Sequence, residues 1–154
     1  MTETVVRRIC ACDEDGLAEL FALEVECFGT EAWSRDSIRG FIENTAVVTV
    51  AAFADGAIVG SASAITVCDE AEITKVAVTD TYRRRGLATL MLAELERLLR
   101  GSGVCRLLLE VRAGNLAARA LYGSLGFTEY GERRGYYQSP REDAVLMEKR
   151  LSDA

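Results

Sequence analysis

Apolar residues recur along this chain with two different periods, and the points where the period changes mark its elements. Residues 5–9 read as a short first strand. Asp13 then stands where it can cap a helix that buries Leu17, Leu20, Phe21 and Val25. Residues 28–33 read as a loop, and Ser34 can cap a second, shorter helix carrying Ile38, Phe41 and Ile42. Val47–Ala54 and Ala57–Val67 are β-rich runs joined at Asp55-Gly56, a dipeptide suited to a tight hairpin. Residues 72–78 form the next strand.

A helical period takes over from residue 86 to residue 100, with Leu87, Leu90, Met91, Leu95, Leu98 and Leu99 on one side. Gly101-Ser102-Gly103 stops it. Residues 104–111 are continuously apolar, the pattern of a buried parallel strand. The strand–helix–strand unit over 72–111 therefore predicts a right-handed crossover. Asn115 can cap a further helix that ends at Gly126. Residues 127–137 and 143–150 make a closing antiparallel pair, with Pro140 in their connection. These elements predict a mixed α/β domain with a central sheet of about six to seven strands and about four helices.

Composition narrows the class. At 154 residues and 49% hydrophobic content, the chain has the size and apolar fraction of one folded domain, residues 1–154. Its apolar runs are too short to span a bilayer, and the start at Met1-Thr2-Glu3-Thr4 lacks the pattern of a signal peptide, so a cytoplasmic protein without membrane contact is expected. Cys10, Cys12, Cys27, Cys68 and Cys105 contain no Cys-x-x-Cys pair and read as reduced, buried, small hydrophobes. Histidine is absent, which excludes Ser-His and Cys-His catalysis and argues against a metal site. A general base must then be a carboxylate, a tyrosine, a lysine or a water chain. The net charge of −6 argues against direct nucleic-acid binding and suits a basic or amine partner.

Between the strand ending at Val76-Ala77-Val78 and the long helix lies a basic turn, Arg83-Arg84-Arg85-Gly86-Leu87-Ala88. The first turn of a helix has N–H groups without intrahelical partners and a positive dipole end, and Gly86 and Ala88 let a phosphate approach the backbone. The same residues could also form a solvated basic turn that merely precedes a helix.

Arg83-x-x-Gly86-x-Ala88 fits the acetyl-CoA motif of the GCN5-related N-acetyltransferases, and the order of elements resembles that family over nearly the whole chain. Leu109-Glu110-Val111-Arg112-Ala113-Gly114-Asn115, Ala120-Leu121-Tyr122-Gly123-Ser124-Leu125-Gly126-Phe127, and Tyr136-Tyr137 followed by Glu142-Asp143-Ala144 resemble the RimI-type enzymes more narrowly. Those enzymes acetylate the N-terminal alanine of a small-subunit ribosomal protein.

The resemblance implies acetyl-CoA as co-substrate, no metal, and a basic protein N-terminus as partner. It implies that Val76, Ala77 and Val78 bind the pantetheine arm through main-chain groups exposed where the strand splays from residues 104–111. The diphosphate would lie on Arg84, Arg85, Gly86, Leu87 and Ala88, with Arg83 nearby and Asn115 as a further contact or simply a helix cap. Glu110 interrupts an apolar strand, where partial desolvation favours proton uptake, and the resemblance makes it the general base. Glu72 on the adjacent strand is the competing carboxylate. Tyr122 would be the general acid that protonates the departing thiolate, or an aromatic that packs its helix onto the sheet. Phe28, Trp33, Tyr136 and Tyr137 would bracket the acceptor, and Glu142 and Asp143 would either hold a strand end or face a basic peptide.

The implied reaction is direct transfer from the thioester to a neutral amine. At neutral pH a lysine amine is about 200-fold less often neutral than a peptide α-amine, a difference of about 3 kcal/mol. A carboxylate base thus suits an α-amine. The alternatives are acetyl transfer to protein lysines or a small amine, and a CoA-binding module without chemistry.

Overall fold

The computed structural model describes residues 4–138 and 140–151. Among them, seven strands form one sheet in the order β1-β2-β3-β4-β5-β7-β6. The strands are β1 (Thr4–Arg8), β2 (Val47–Ala54), β3 (Ala57–Val67), β4 (Glu70–Val78), β5 (Arg106–Arg112), β6 (Thr128–Gln138) and β7 (Arg141–Arg150). The helices are α1 (Glu14–Phe28), α2 (Arg35–Glu43), α3 (Leu87–Gly101) and α4 (Leu116–Ser124). Every neighbouring pair is antiparallel except β4–β5. Of the signal-peptide reading, Met1, Thr2 and Glu3 lie outside the described residues.

Local signals act as expected at the element ends. Asp55 and Gly56 take φ of 52° and 81°, the left-handed pair that a two-residue hairpin turn requires. Asp13, Ser34 and Asn115 each accept a backbone N–H from the first turn of their helix.

The sheet is covered on both sides. On one face, α3 packs Leu87, Met91, Leu92, Leu95 and Leu99 onto Val48, Val50, Ala62, Ile73, Leu107 and Leu109. On the other, α1 and α2 pack Leu17, Leu20, Leu23 and Ile38 onto Ala51, Ile58 and Ala77. Covering both faces explains why β2 is buried at nearly every position.

The pairing of β4 positions everything else. Ser63 faces Lys75 while Ala64 faces Ile73, so Thr74 is an extra residue, a β-bulge. The bulge changes which residues face α3: Ala71 and Ile73 before it, Val76 and Val78 after it. β4 pairs with β5 only from Glu70↔Arg106 to Glu72↔Leu108. Beyond that point β4 follows β3 as far as Val78↔Gly60, and β5 follows β7 as far as Arg112↔Ala144. The two strands therefore diverge. At the closed end, Arg106 donates to Glu70 at 2.7 Å and also to Glu148, which ties β4, β5 and β7 together.

Several expectations are corrected. In α1 the buried stripe is Leu17, Leu20, Leu23 and Glu24, while Phe21 is only half-buried and Val25 is 46% exposed. The stripe turns toward Glu24 because Lys75 Nζ bonds its carboxylate. In α3, Leu92 is buried and Leu90 is exposed, since Leu90 lies outside the arc centred on Met91 and Leu95. β5 is not buried on both faces: Leu107, Leu109 and Val111 face the core, whereas Leu108, Glu110 and Arg112 are half-buried on the other side. Residues 28–33 are not simply a loop, because α1 runs through Phe28 and a 3₁₀ turn follows at Gly29–Glu31. None of the five cysteines is buried: Cys10, Cys12 and Cys68 are exposed, and Cys27 and Cys105 are half-buried. They lie on connections and element ends rather than in the layers.

Lys75, on the α1/α2 face, sits 4.5 Å from the Phe28 ring centre and 4.0 Å from that of Trp33. Its partner Glu24 also accepts the Trp33 N–H at 3.0 Å. Removing the cation leaves a desolvated carboxylate. Lys75→Met is expected to cost about 3–5 kcal/mol in urea unfolding, and the double variant Glu24→Gln/Lys75→Met to recover more than half of that loss.

Candidate active site

A cavity of about 460 Å³ lies along β4 beyond the point where its pairing with β5 ends. Val76, Ala77 and Val78 form one wall, Arg83, Arg84, Gly86, Leu87 and Ala88 the basic end, and Ala117, Ala118 and Leu121 of α4 the opposite wall. The volume is that of an ordinary small-molecule site.

The basic turn sorts its three arginines. Arg83 is occupied: its Nε donates to Val78 O at 3.0 Å and its Nη1 lies 2.6 Å from Asp80 Oδ1. Arg85 stacks on Tyr82, 4.8 Å from the ring centre. Arg84 lines the cavity with φ of 63°, a left-handed conformation that costs energy for a residue with a side chain. Gly86 follows at φ 77° as the N-cap of α3, and no side chain caps that helix. Its first-turn N–H groups are left for an anion.

Glu110 lies on the opposite face of the sheet from α3, because its neighbours Leu109 and Val111 point into the α3 core. It lines a second, smaller cavity of about 90 Å³ with Glu72, Leu108, Leu109, Tyr130 and Arg133. Both candidate carboxylates thus stand together where β4 and β5 part. Glu72 is exposed, whereas the Glu110 side chain keeps only 18% of its surface accessible. Arg133 Nε is 3.5 Å from Glu110 Oε1.

Tyr122 belongs to the α3 face. It packs against the core and meets Phe127 edge-on, with ring centres 5.9 Å apart. Burial pushes its phenol above the ordinary value, so it keeps its proton. Ala118 and Leu121, on the same helix, line the large cavity; Tyr122 does not itself line it. Asn115 Oδ1 accepts the Ala118 N–H at 3.1 Å, the capping role.

The aromatic candidates divide as well. Phe28 lines the large cavity, while Trp33 turns inward against Lys75 and meets Phe41 at 5.2 Å. Tyr136 stands at Glu110, whose carboxylate as hydrogen-bond acceptor and nearby charge pushes the Tyr136 phenol up. Burial first, and then the Glu110 charge, does the same to Tyr137. Tyr137 is covered by the Arg112 guanidinium at 4.3 Å. Glu142 accepts the Gly114 N–H, and Asp143 accepts that of Gly135 at 2.8 Å, so both hold the backbone around β6 and β7.

The Acetyltransferase (GNAT) family model matches residues 17–127. The chain belongs to this family. It is 33% identical over 147 residues to the ribosomal protein bS18-alanine N-acetyltransferase of Haemophilus influenzae, covering 94% of this chain and 97% of that one. The protein of the same name from Escherichia coli (strain K12) is 49% identical over 83 residues, so there the chain matches about half of the relative, 56% of its length. The crystal structure of the ribosomal-protein-S18-alanine N-acetyltransferase from Escherichia coli aligns at 32% identity with a TM-score of 0.86, covering 99% of this chain and 96% of that one.

Acetyl-CoA is the acetyl source of GNAT enzymes. The residues present fit its diphosphate and pantetheine parts. The α3 N-terminus is uncapped, a Cβ placed on Gly86 would meet nothing within 4 Å, and no strand covers the outer edge of β4 beyond Glu72. Sequence reasoning missed Tyr130 and Arg133 beside Glu110, and Ala117, Ala118 and Leu121 in the cavity wall. The small pair Ala117-Ala118 in the first turn of α4 was a usable signal. Nothing local announces Tyr130 or Arg133, which reach Glu110 only through β7.

Because Glu110 raises the Tyr136 phenol, Glu110→Gln is expected to return Tyr136 toward its ordinary pKa, ionising at lower pH than in the wild type. A pH titration of ¹³C-labelled tyrosines by NMR checks this, and an unmoved Tyr136 would separate the two groups.

Proposed function

We propose that the protein transfers acetyl from acetyl-CoA to the α-amine of an N-terminal alanine on a small-subunit ribosomal protein, the reaction named in its relatives. One observation carries this reading: β4–β5 pairing stops after Glu72 and Leu108, with the cavity at the uncapped helix N-terminus along β4 beyond that point and the cavity holding Glu110 at the point itself. A cofactor and an amine can meet there through the sheet.

Bound acetyl-CoA supplies an activated thioester carbonyl. The turn from Arg84 to Ala88 and the first-turn amides of α3 hold its diphosphate. Val76, Ala77 and Val78 offer main-chain groups to the pantetheine arm, as an added strand would. Glu110 receives the acceptor's ammonium and takes its proton, with Glu72 at the same mouth. Tyr122, kept protonated by burial, supplies the proton to the leaving sulfur. Holding both reactants in line contributes up to roughly 7–11 kcal/mol in favourable cases. Phe28 and the Tyr136-Tyr137 pair flank the acceptor's path, while Trp33 supports it from behind through Lys75. The net charge of −6 favours a basic ribosomal acceptor.

The wild type, given acetyl-CoA and a basic peptide beginning with alanine, is expected to place one acetyl group on the α-amine. Tandem mass spectrometry locates it, and acetate found only on internal lysines would overturn the acceptor assignment. Glu110→Gln should lose more than tenfold in turnover, and Tyr122→Phe should turn over more slowly than wild type. Full activity in either variant removes that residue from the reaction.

A further inference from the structure

We infer that Arg133 is a resident counter-ion of Glu110 which the acceptor's ammonium must displace, so that binding exchanges one cation for another. This rests on the reading of Glu110 as the group that receives the amine.

The pair joins a fixed anion to a loose cation. The Glu110 side chain is 18% exposed and Arg133 57% exposed, and the contact runs through Nε at 3.5 Å. Arg106 makes a contrast: it bonds two carboxylates with a side chain only 26% exposed. Among the described residues lining the Glu110 cavity, Arg133 is the only cation. The other titratable groups facing Glu110 are Glu72 from β4 and Tyr130, Tyr136 and Tyr137 from β6. The Tyr136 and Tyr137 phenols are both pushed up, so these two bring no charge.

The backbone makes Arg133 releasable. It is the last β6 residue paired before the register breaks, and pairing with β7 resumes at Tyr137. Between them Gly135 takes φ of 60°, with its N–H held by Asp143. Arg133 therefore sits at the hinge of an unpaired bulge whose far side carries Tyr136. Its guanidinium already lies 5.5 Å from the Tyr136 ring centre, so a displaced Arg133 has an aromatic face to rest on.

Glu72 is exposed and its charge is screened by water, so the enclosed Glu110 carboxylate is the one for which two cations compete. An α-ammonium that reaches Glu110 meets repulsion from Arg133 until the arginine leaves, and an uncharged acceptor has no means of driving it out. The exchange thus selects for acceptors that arrive as cations, and it keeps the half-buried carboxylate neutralised while the site is empty.

Calorimetry with CoA present tests this with two basic alanine-initiated peptides, one with a free α-amine and one N-acetylated. Arg133→Gln is expected to bind the free-amine peptide at least threefold tighter than wild type, with the acetylated peptide unchanged and Arg133→Lys close to wild type. The KM for the free-amine peptide should fall in the same proportion while that for acetyl-CoA stays constant. Unchanged or weaker binding of the free-amine peptide to Arg133→Gln would overturn the inference, as would equal tightening of both peptides. Failure of the underlying acceptor reading shows separately, as no acetylated peptide formed by the wild type.

Discussion

The parallel contact between β4 and β5 ends after Glu72 and Leu108, and the rest of the molecule depends on where it stops. Each strand has an antiparallel partner that continues: β3 holds β4 to Val78 and β7 holds β5 to Arg112. Beyond that point each strand keeps its antiparallel partner and loses the parallel one. The bulge at Thr74 adds a local bend, and the Arg106 clasp fixes the closed end. The sheet therefore opens into a slit with two facing main-chain edges, of which that of β4 borders the large cavity. Unpaired backbone is costly when buried, so the same edge that weakens the sheet is suited to a ligand with amide groups.

The two faces of the sheet differ at the slit. The face covered by α3 and α4 carries Tyr122, and the other carries Glu110. The two residues proposed to take and give protons thus stand on opposite faces of the sheet, in different surroundings. Tyr122 is in an apolar core that keeps it protonated. Glu110 stands among a cation, a second carboxylate and tyrosine hydroxyls. The Lys75–Glu24 pair has a different task on the same face. It is held between Phe28 and Trp33, and it fixes the segment after α1 against the bulged strand.

Much of this was legible in the residues. Periodicity located the strands and helices, and Asp13, Ser34, Asn115 and Asp55-Gly56 marked ends that the structure places as expected. The basic turn and Gly86 announced the helix N-terminus. Errors came where burial depends on a distant partner. Val25 was expected inside α1, but Lys75, far along the chain, draws Glu24 inward and rotates the stripe. The run at Leu107-Leu108-Leu109 suggested a strand buried on both faces, yet beyond α1 and α2 one of its faces carries the Glu110 cavity instead. The packing of Trp33 on Lys75 is a contact of the same long-range kind.

The sequence by itself determined the elements, their order, the basic turn before α3 and the chemical types available without histidine, because each of these follows from local propensity and spacing. Only the tertiary structure decided which arginines line the cavity, which carboxylate is enclosed, and which cation rests on it. Those outcomes depend on strand register, on the bulges in β4 and β6, and on charges brought together from separate strands. Such pairings are set by the packing of the whole sheet, and no short window of residues carries them.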